Sequence, residues 1–240
     1  MSFSTTRSPS ATWPKWLTTF GWITAILLVS GQIYAIVTSP PDAAMGDLQK
    51  IMYIHVPSAW VAMMSFIVVL AYCLLYLWKH QPKHDLMAAS AAEVGTVFTA
   101  LAIAQGSIWG RPTWGVWWTW DARLTSTAVM LLIYAGYLTL RSFTDDEERR
   151  ARWSAAVGIL GAINVPIVWY SVKWWRTIHQ LQSDMSSISP EYRRGWIINA
   201  LTFTVLVVYL IVARYHVSLL QRAGEQHAEE QALAVRSVHV

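Results

Sequence analysis

Apolar positions in this chain come in six long runs, not in alternating stripes. The runs cover residues 17–37, 58–78, 87–109, 124–140, 153–172 and 196–214. Each approaches the roughly 20 apolar residues that a helix needs to cross a bilayer. Backbone N–H and C=O groups must be paired within such a run, because hydrocarbon supplies no partners. The pattern therefore predicts an all-α fold, a polytopic membrane protein built as a six-transmembrane-helix bundle. Residues 1–220 read as one domain. Residues 221–240, rich in Gln, Glu and Ala, read as a flexible, solvated tail. The first run is too long for the apolar part of a cleavable signal peptide, and no small-x-small site follows it.

Composition agrees with the pattern. Hydrophobic residues make up 55% of the 240 and charged residues 13%. A soluble domain carries about 25% charge. Disorder, collagen, coiled coil and a disulfide scaffold are excluded. The apolar composition makes membrane lipid the expected partner, and the net charge of +4 is too small and dispersed to argue for nucleic acid. Cys73 is the single cysteine and lies in an apolar run, so an internal disulfide and CxxC chemistry are excluded.

Six spans put both termini on one side, and the Lys/Arg bias chooses the side. The termini and the loops around residues 79–83 and 141–152 hold eleven Lys and Arg; the remaining loops hold seven. Both termini are therefore predicted to be cytoplasmic. The external loops are then 38–57, 110–123 and 173–195. The internal loops are short and charged. The external face instead collects Trp60, Trp109, Trp114, Trp117, Trp118, Trp120, Trp174, Trp175 and Trp196, with His55 and His179 among them.

Four of these tryptophans, Trp114, Trp117, Trp118 and Trp120, fall within seven residues. An interfacial aromatic belt needs only one or two per helix end. As a short helix on the membrane, the segment would align Trp114, Trp117, Trp118 and Asp121 on one face. Such a row of indoles suits a large planar apolar ligand, or else it only anchors the bundle. Asp121 is placed to accept backbone or indole N–H groups. Arg111 and Arg123 are placed to pair with ligand carboxylates; the alternative for Arg123 is a local ion pair with Asp121.

His55 precedes the second span, with Pro57 expected in the first helical turn. His179 follows the fifth. A lone loop histidine is ordinarily surface decoration. Two of them flanking an aromatic plate at one membrane level are a candidate pair of axial ligands, and the planar group with two such positions is haem. His80, His84, His216, His227 and His239 fall on the opposite side and read as decoration. Within the spans, Gln32, Glu93, Gln105 and Asn164 stand out. Glu93 sits among Ala88, Ala89, Ala91, Ala92 and Gly95, a small-residue surface suited to docking either a partner subunit or another helix of the same bundle.

The segment Trp114-Gly-Val-Trp-Trp-Thr-Trp-Asp121 resembles the WGxxWxWD motif of the WWD family of membrane haem-handling proteins. The continuation Asp121-Ala-Arg-Leu-Thr, the chain length, and the segments Tyr53–Trp60, Gly106–Pro112 and Pro166–Gln180 are similar to the haem exporter protein C (CcmC) branch of cytochrome c maturation. The resemblance covers about residues 15–220. It implies haem b bound at the periplasmic face of the bacterial inner membrane. His55 and His179 would ligate the iron, and the Trp-rich loop with Asp121 and Arg123 would support the porphyrin. It also implies delivery to the haem chaperone CcmE, beside the small protein CcmD and the ABC transporter CcmA/CcmB. The chain has no GxxxxGK[ST] loop, so ATP dependence falls to a partner, and no enzymatic activity is expected. Two other functions compete. A haem b electron-transfer subunit would need histidines near mid-membrane, where none lies. A haem permease would need a polar route there, and the midplane is mostly apolar.

Overall fold

The computed structural model describes residues 12–179 and 188–238, with side chains to residue 234. Every regular element among them is helical: α1 (Lys15–Thr38), a 3-10 turn (Asp47–Ile51), α2 (Met52–Lys79), α3 (Pro82–Trp114), α4 (Ala122–Ser142), α5 (Glu147–Ala162), α6 (Asn164–Trp174) and α7 (Pro190–Val238). Six helical stretches are long and apolar enough to cross a membrane, with α5 and α6 forming one of them together. The protein is thus a polytopic all-α membrane protein.

The helix boundaries follow local chemistry. His80, at φ 51°, closes α2, and Pro82 opens α3 at its first position, where the missing N–H costs nothing. Gly115, at φ 80°, closes α3 in the left-handed conformation that glycine adopts without strain. Asp121 and Asp146 cap α4 and α5, their Oδ1 atoms accepting the Leu124 and Arg149 N–H groups at 2.8 and 2.7 Å. The fifth span breaks at Ile163. Pro166 lacks the N–H that would reach the Ala162 carbonyl there.

α2 and α3 form the centre. The small-residue surface beside Glu93 docks within the bundle: a Cβ on Gly95 would lie 2.8 Å from the Phe66 ring of α2, and Ala88, Ala91 and Ala92 are buried. Phe66 stacks on Tyr134 of α4, with ring centroids 3.6 Å apart. Glu93 itself pairs with Arg214 of α7 at 2.5 Å. At the same end of the bundle, Arg141 grips Asp85 through two bonds of 2.5 and 2.8 Å. α1 buries only Leu17, Thr24, Gly31 and Ala35 and leaves its other faces exposed.

Two expectations shift. The second span does not begin near residue 58: α2 starts at Met52, so His55 lies inside it. Pro57 is an interior position, not a first-turn one. The C-terminal stretch predicted as a flexible tail continues α7 as helix to Val238, with residues 225–234 exposed.

Candidate functional site

His55 sits on the second turn of α2. Its surroundings explain why it can stay there despite Pro57. A proline at position 57 withholds the N–H that would bond the Tyr53 carbonyl. Gln32 of α1 replaces it, donating Nε2 to that carbonyl at 3.1 Å and also to Asn199 Oδ1. Tyr53 is fully buried, with its hydroxyl 2.5 Å from Ser39 Oγ. The imidazole lies against α3. A Cβ on Gly106 would fall 3.0 Å from His55 Cε1, so glycine opens the slot that the ring fills. Trp109 meets the ring edge-on at 5.7 Å. The Nδ1 atom of His55 is buried and lacks a hydrogen-bond partner among the described residues.

His179 is held differently. It lies in a bend beyond α6, and its backbone N–H donates to Thr177 Oγ1 at 3.0 Å. The Thr177 hydroxyl in turn donates to Asp121 Oδ2 at 2.5 Å, and the Ile178 N–H reaches the same oxygen at 3.1 Å. Asp121 therefore caps α4 with one oxygen and holds the His179 segment with the other. Its expected role as an acceptor of backbone donors is met. Trp114 approaches the His179 ring at 6.0 Å.

The Trp-rich segment departs from the expected short helix. Trp114 is the last residue of α3; beyond Gly115 the chain runs without helix to the Asp121 cap. The single-face alignment of Trp114, Trp117, Trp118 and Asp121 is therefore not formed. Trp114 and Trp118 line a cavity with His55, His179 and Trp109. Trp117 and Trp120 are 59% and 78% exposed and lie outside its lining.

Arg123 also lines this cavity. The ion pair with Asp121 is absent; Arg123 donates instead to Ser171 Oγ at 3.0 Å and to the Trp169 carbonyl at 3.2 Å. Arg111 bonds the Gly115 carbonyl at the end of α3 and is not in the lining.

The cavity has a volume of about 110 Å3. One end of its lining holds His55, Trp114 and His179, and the other reaches Ala62, Met63, Thr99 and Met130. Met63 lies eight residues beyond His55 along α2, or about 12 Å at 1.5 Å per residue. Large apolar walls with a few convergent polar groups are the usual form of an organic-ligand site. Sequence reasoning missed the roles of Gly106, Thr177 and Gln32, the last noted only as a polar residue within a span. A signal existed for two of them. A proline four residues after Tyr53 demands a foreign donor, and a threonine two residues before His179 invites a hydroxyl–backbone bond. Residues 180–187, in the loop predicted to be external, lie outside the described residues, as does His239.

Fold and site together define a multi-pass membrane protein with a histidine- and tryptophan-lined cavity at one end of its bundle. The profile of the Heme exporter protein C (CcmC) family matches residues 2–230. A Heme exporter protein C from Bradyrhizobium diazoefficiens is 41% identical over 204 residues, covering 83% of this chain and 77% of its own. The Escherichia coli protein of the same name is 37% identical over 169 residues, covering 70% of this chain and 69% of its own. That of Haemophilus influenzae is 33% identical over 212 residues and covers 86% of each chain. The chain belongs to the Heme exporter protein C family.

Proposed function

We propose that this protein binds haem b as cargo at the periplasmic face of the bacterial inner membrane and hands it to the haem chaperone CcmE. Family membership makes it a component of haem export in cytochrome c maturation. One observation carries the finer reading. His55 and His179, from opposite halves of the chain, line one cavity with Trp114, Trp118 and Arg123. The residues suit the group. His55 lines the cavity from a regular helix, and the Gly106 slot leaves its ring room. Two imidazoles supply axial iron ligands. Indole faces suit a planar macrocycle, and a guanidinium suits a propionate. Asp121 fixes the loop that carries the indoles.

The protein acts as a holder and presenter, with no covalent chemistry of its own. Cys73 is buried in the core against Gly158, far from use as a nucleophile. Attachment then relies on the acceptor's residues. CcmD and the transporter CcmA/CcmB complete the assembly, and the transporter supplies the ATP hydrolysis. The Lys/Arg bias supports cytoplasmic termini and a periplasmic cavity.

The test is the absorbance spectrum of detergent-purified protein. His55→Ala and His179→Ala should each shift or abolish a low-spin haem spectrum. An unchanged Soret band in the double variant overturns the ligand assignment. Co-expressed CcmE should remain unloaded with either single variant.

A further inference from the structure

The two histidines are anchored unequally. His55 is fixed by regular helix, by the Gly106 slot and by the Gln32 bond that repairs the Pro57 gap. His179 sits beyond the end of α6, and a three-group relay ties its backbone to the Trp-rich loop. The relay runs from His179 N–H to Thr177 Oγ1, then from the Thr177 hydroxyl to Asp121 Oδ2, with Asp121 Oδ1 on the Leu124 N–H; the Ile178 N–H bonds Asp121 Oδ2 beside it but does not reach His179. Thr177 is the hinge of this relay, because its one hydroxyl both accepts and donates. Neither valine nor alanine can do either; serine can do both.

We infer that Thr177 is the positioning residue for His179, and that His179 is the ligand that yields when haem is handed on, while His55 stays in place. This rests on the proposed haem ligation. The relay links the Asp121 cap to His179, so a partner that displaces the loop at Asp121 also loosens His179. The same displacement leaves the α2 anchor of His55 untouched. Groups that orient a metal ligand without touching the metal commonly change affinity by about 10–100-fold when removed.

The experiment uses the full-length protein, purified with its haem in detergent. Thr177→Val should convert much of the ferric haem from six-coordinate low-spin to five-coordinate high-spin, with roughly tenfold or greater loss of haem affinity. Added imidazole should restore the low-spin spectrum by taking the vacated position. Thr177→Ser should keep the wild-type spectrum. If Thr177→Val does not accumulate, Thr177→Ala is read the same way. His179→Gly and His55→Gly are run beside them. The same imidazole rescue in His179→Gly, with a harder rescue in His55→Gly, supports the unequal anchoring. A spectrum unchanged in His179→Gly would overturn the ligation itself. A changed His179→Gly spectrum with an unchanged Thr177→Val and Thr177→Ala spectrum would overturn the positioning role alone. Equal rescue of both glycine variants would overturn the order of release.

Discussion

Asp121 Oδ2 and Thr177 Oγ1 lie 2.5 Å apart, although 56 residues separate them in sequence. Through this bond the Trp-rich loop and the His179 segment become one surface. Asp121→Ala removes both the α4 cap and this tie. Loss of an Asp cap costs about 1 kcal/mol, so the variant should show a modest fall in thermal stability. Its loss of bound haem should be larger than that fall explains. Asp121→Asn keeps a cap and should retain most of the stability. Differential scanning fluorimetry alongside haem quantification separates the two effects.

The four clustered tryptophans should divide into two pairs. Trp114→Ala and Trp118→Ala remove cavity walls and should each weaken haem retention. An aromatic contact contributes about 0.5–1.5 kcal/mol beyond its area, or about two- to tenfold in affinity. Trp117→Ala and Trp120→Ala face outward and should leave retention nearly unchanged. Haem competition with apomyoglobin measures this. Equal losses in all four would contradict the split.

Gly106 should tolerate no larger side chain without cost to His55. Alanine places a carbon 3.0 Å from the imidazole, which the ring relieves by moving a few tenths of an ångström. Valine has no such relief. Haem content should fall in the order glycine, alanine, valine, while Gly136→Ala, with open space around it, should be neutral. Pyridine haemochrome assays provide the readout.

The Gln32–Tyr53 bond predicts a suppressor. Gln32→Leu strands the Tyr53 carbonyl, and an unsatisfied buried acceptor costs about 1–3 kcal/mol. Pro57→Ala restores the missing N–H, so Gln32→Leu with Pro57→Ala should be more stable than Gln32→Leu alone. Thermal unfolding of the set in detergent should show a non-additive pair.

The orientation is checked by labelling in a Cys73→Ser background. A cysteine at Ala44, in the exposed turn between α1 and α2, should react with an impermeant thiol reagent in intact spheroplasts. A cysteine at Asp145, between α4 and α5, should react only after the membrane is broken. The reverse pattern would place the cavity in the cytoplasm.

The six spans were legible because their run lengths match a bilayer. The position of Pro57 was not. A proline near a loop reads as a first turn, and only a donor from 21 residues upstream lets α2 begin before it. The Trp-rich segment satisfied a helical spacing by accident. Gly115 ends α3 one residue after Trp114, and a glycine at that place is a readable helix stop. His55 and His179 were visible as a pair because both flank the same loop. Their unequal supports depend on contacts from α1, α3 and α4 that no local pattern records.

The cavity changes character toward Met63. Thr99, buried there, turns its hydroxyl onto the Gly95 carbonyl at 2.7 Å, and its neighbours Ala62, Met63 and Met130 are apolar. That end of the lining therefore offers shape and dryness but no competing polar grip, while His55, His179 and Arg123 stand at the other. Haem bound as proposed would be held by polar contacts at one end alone, and its residence time would respond to changes at that end and not to changes around Met63.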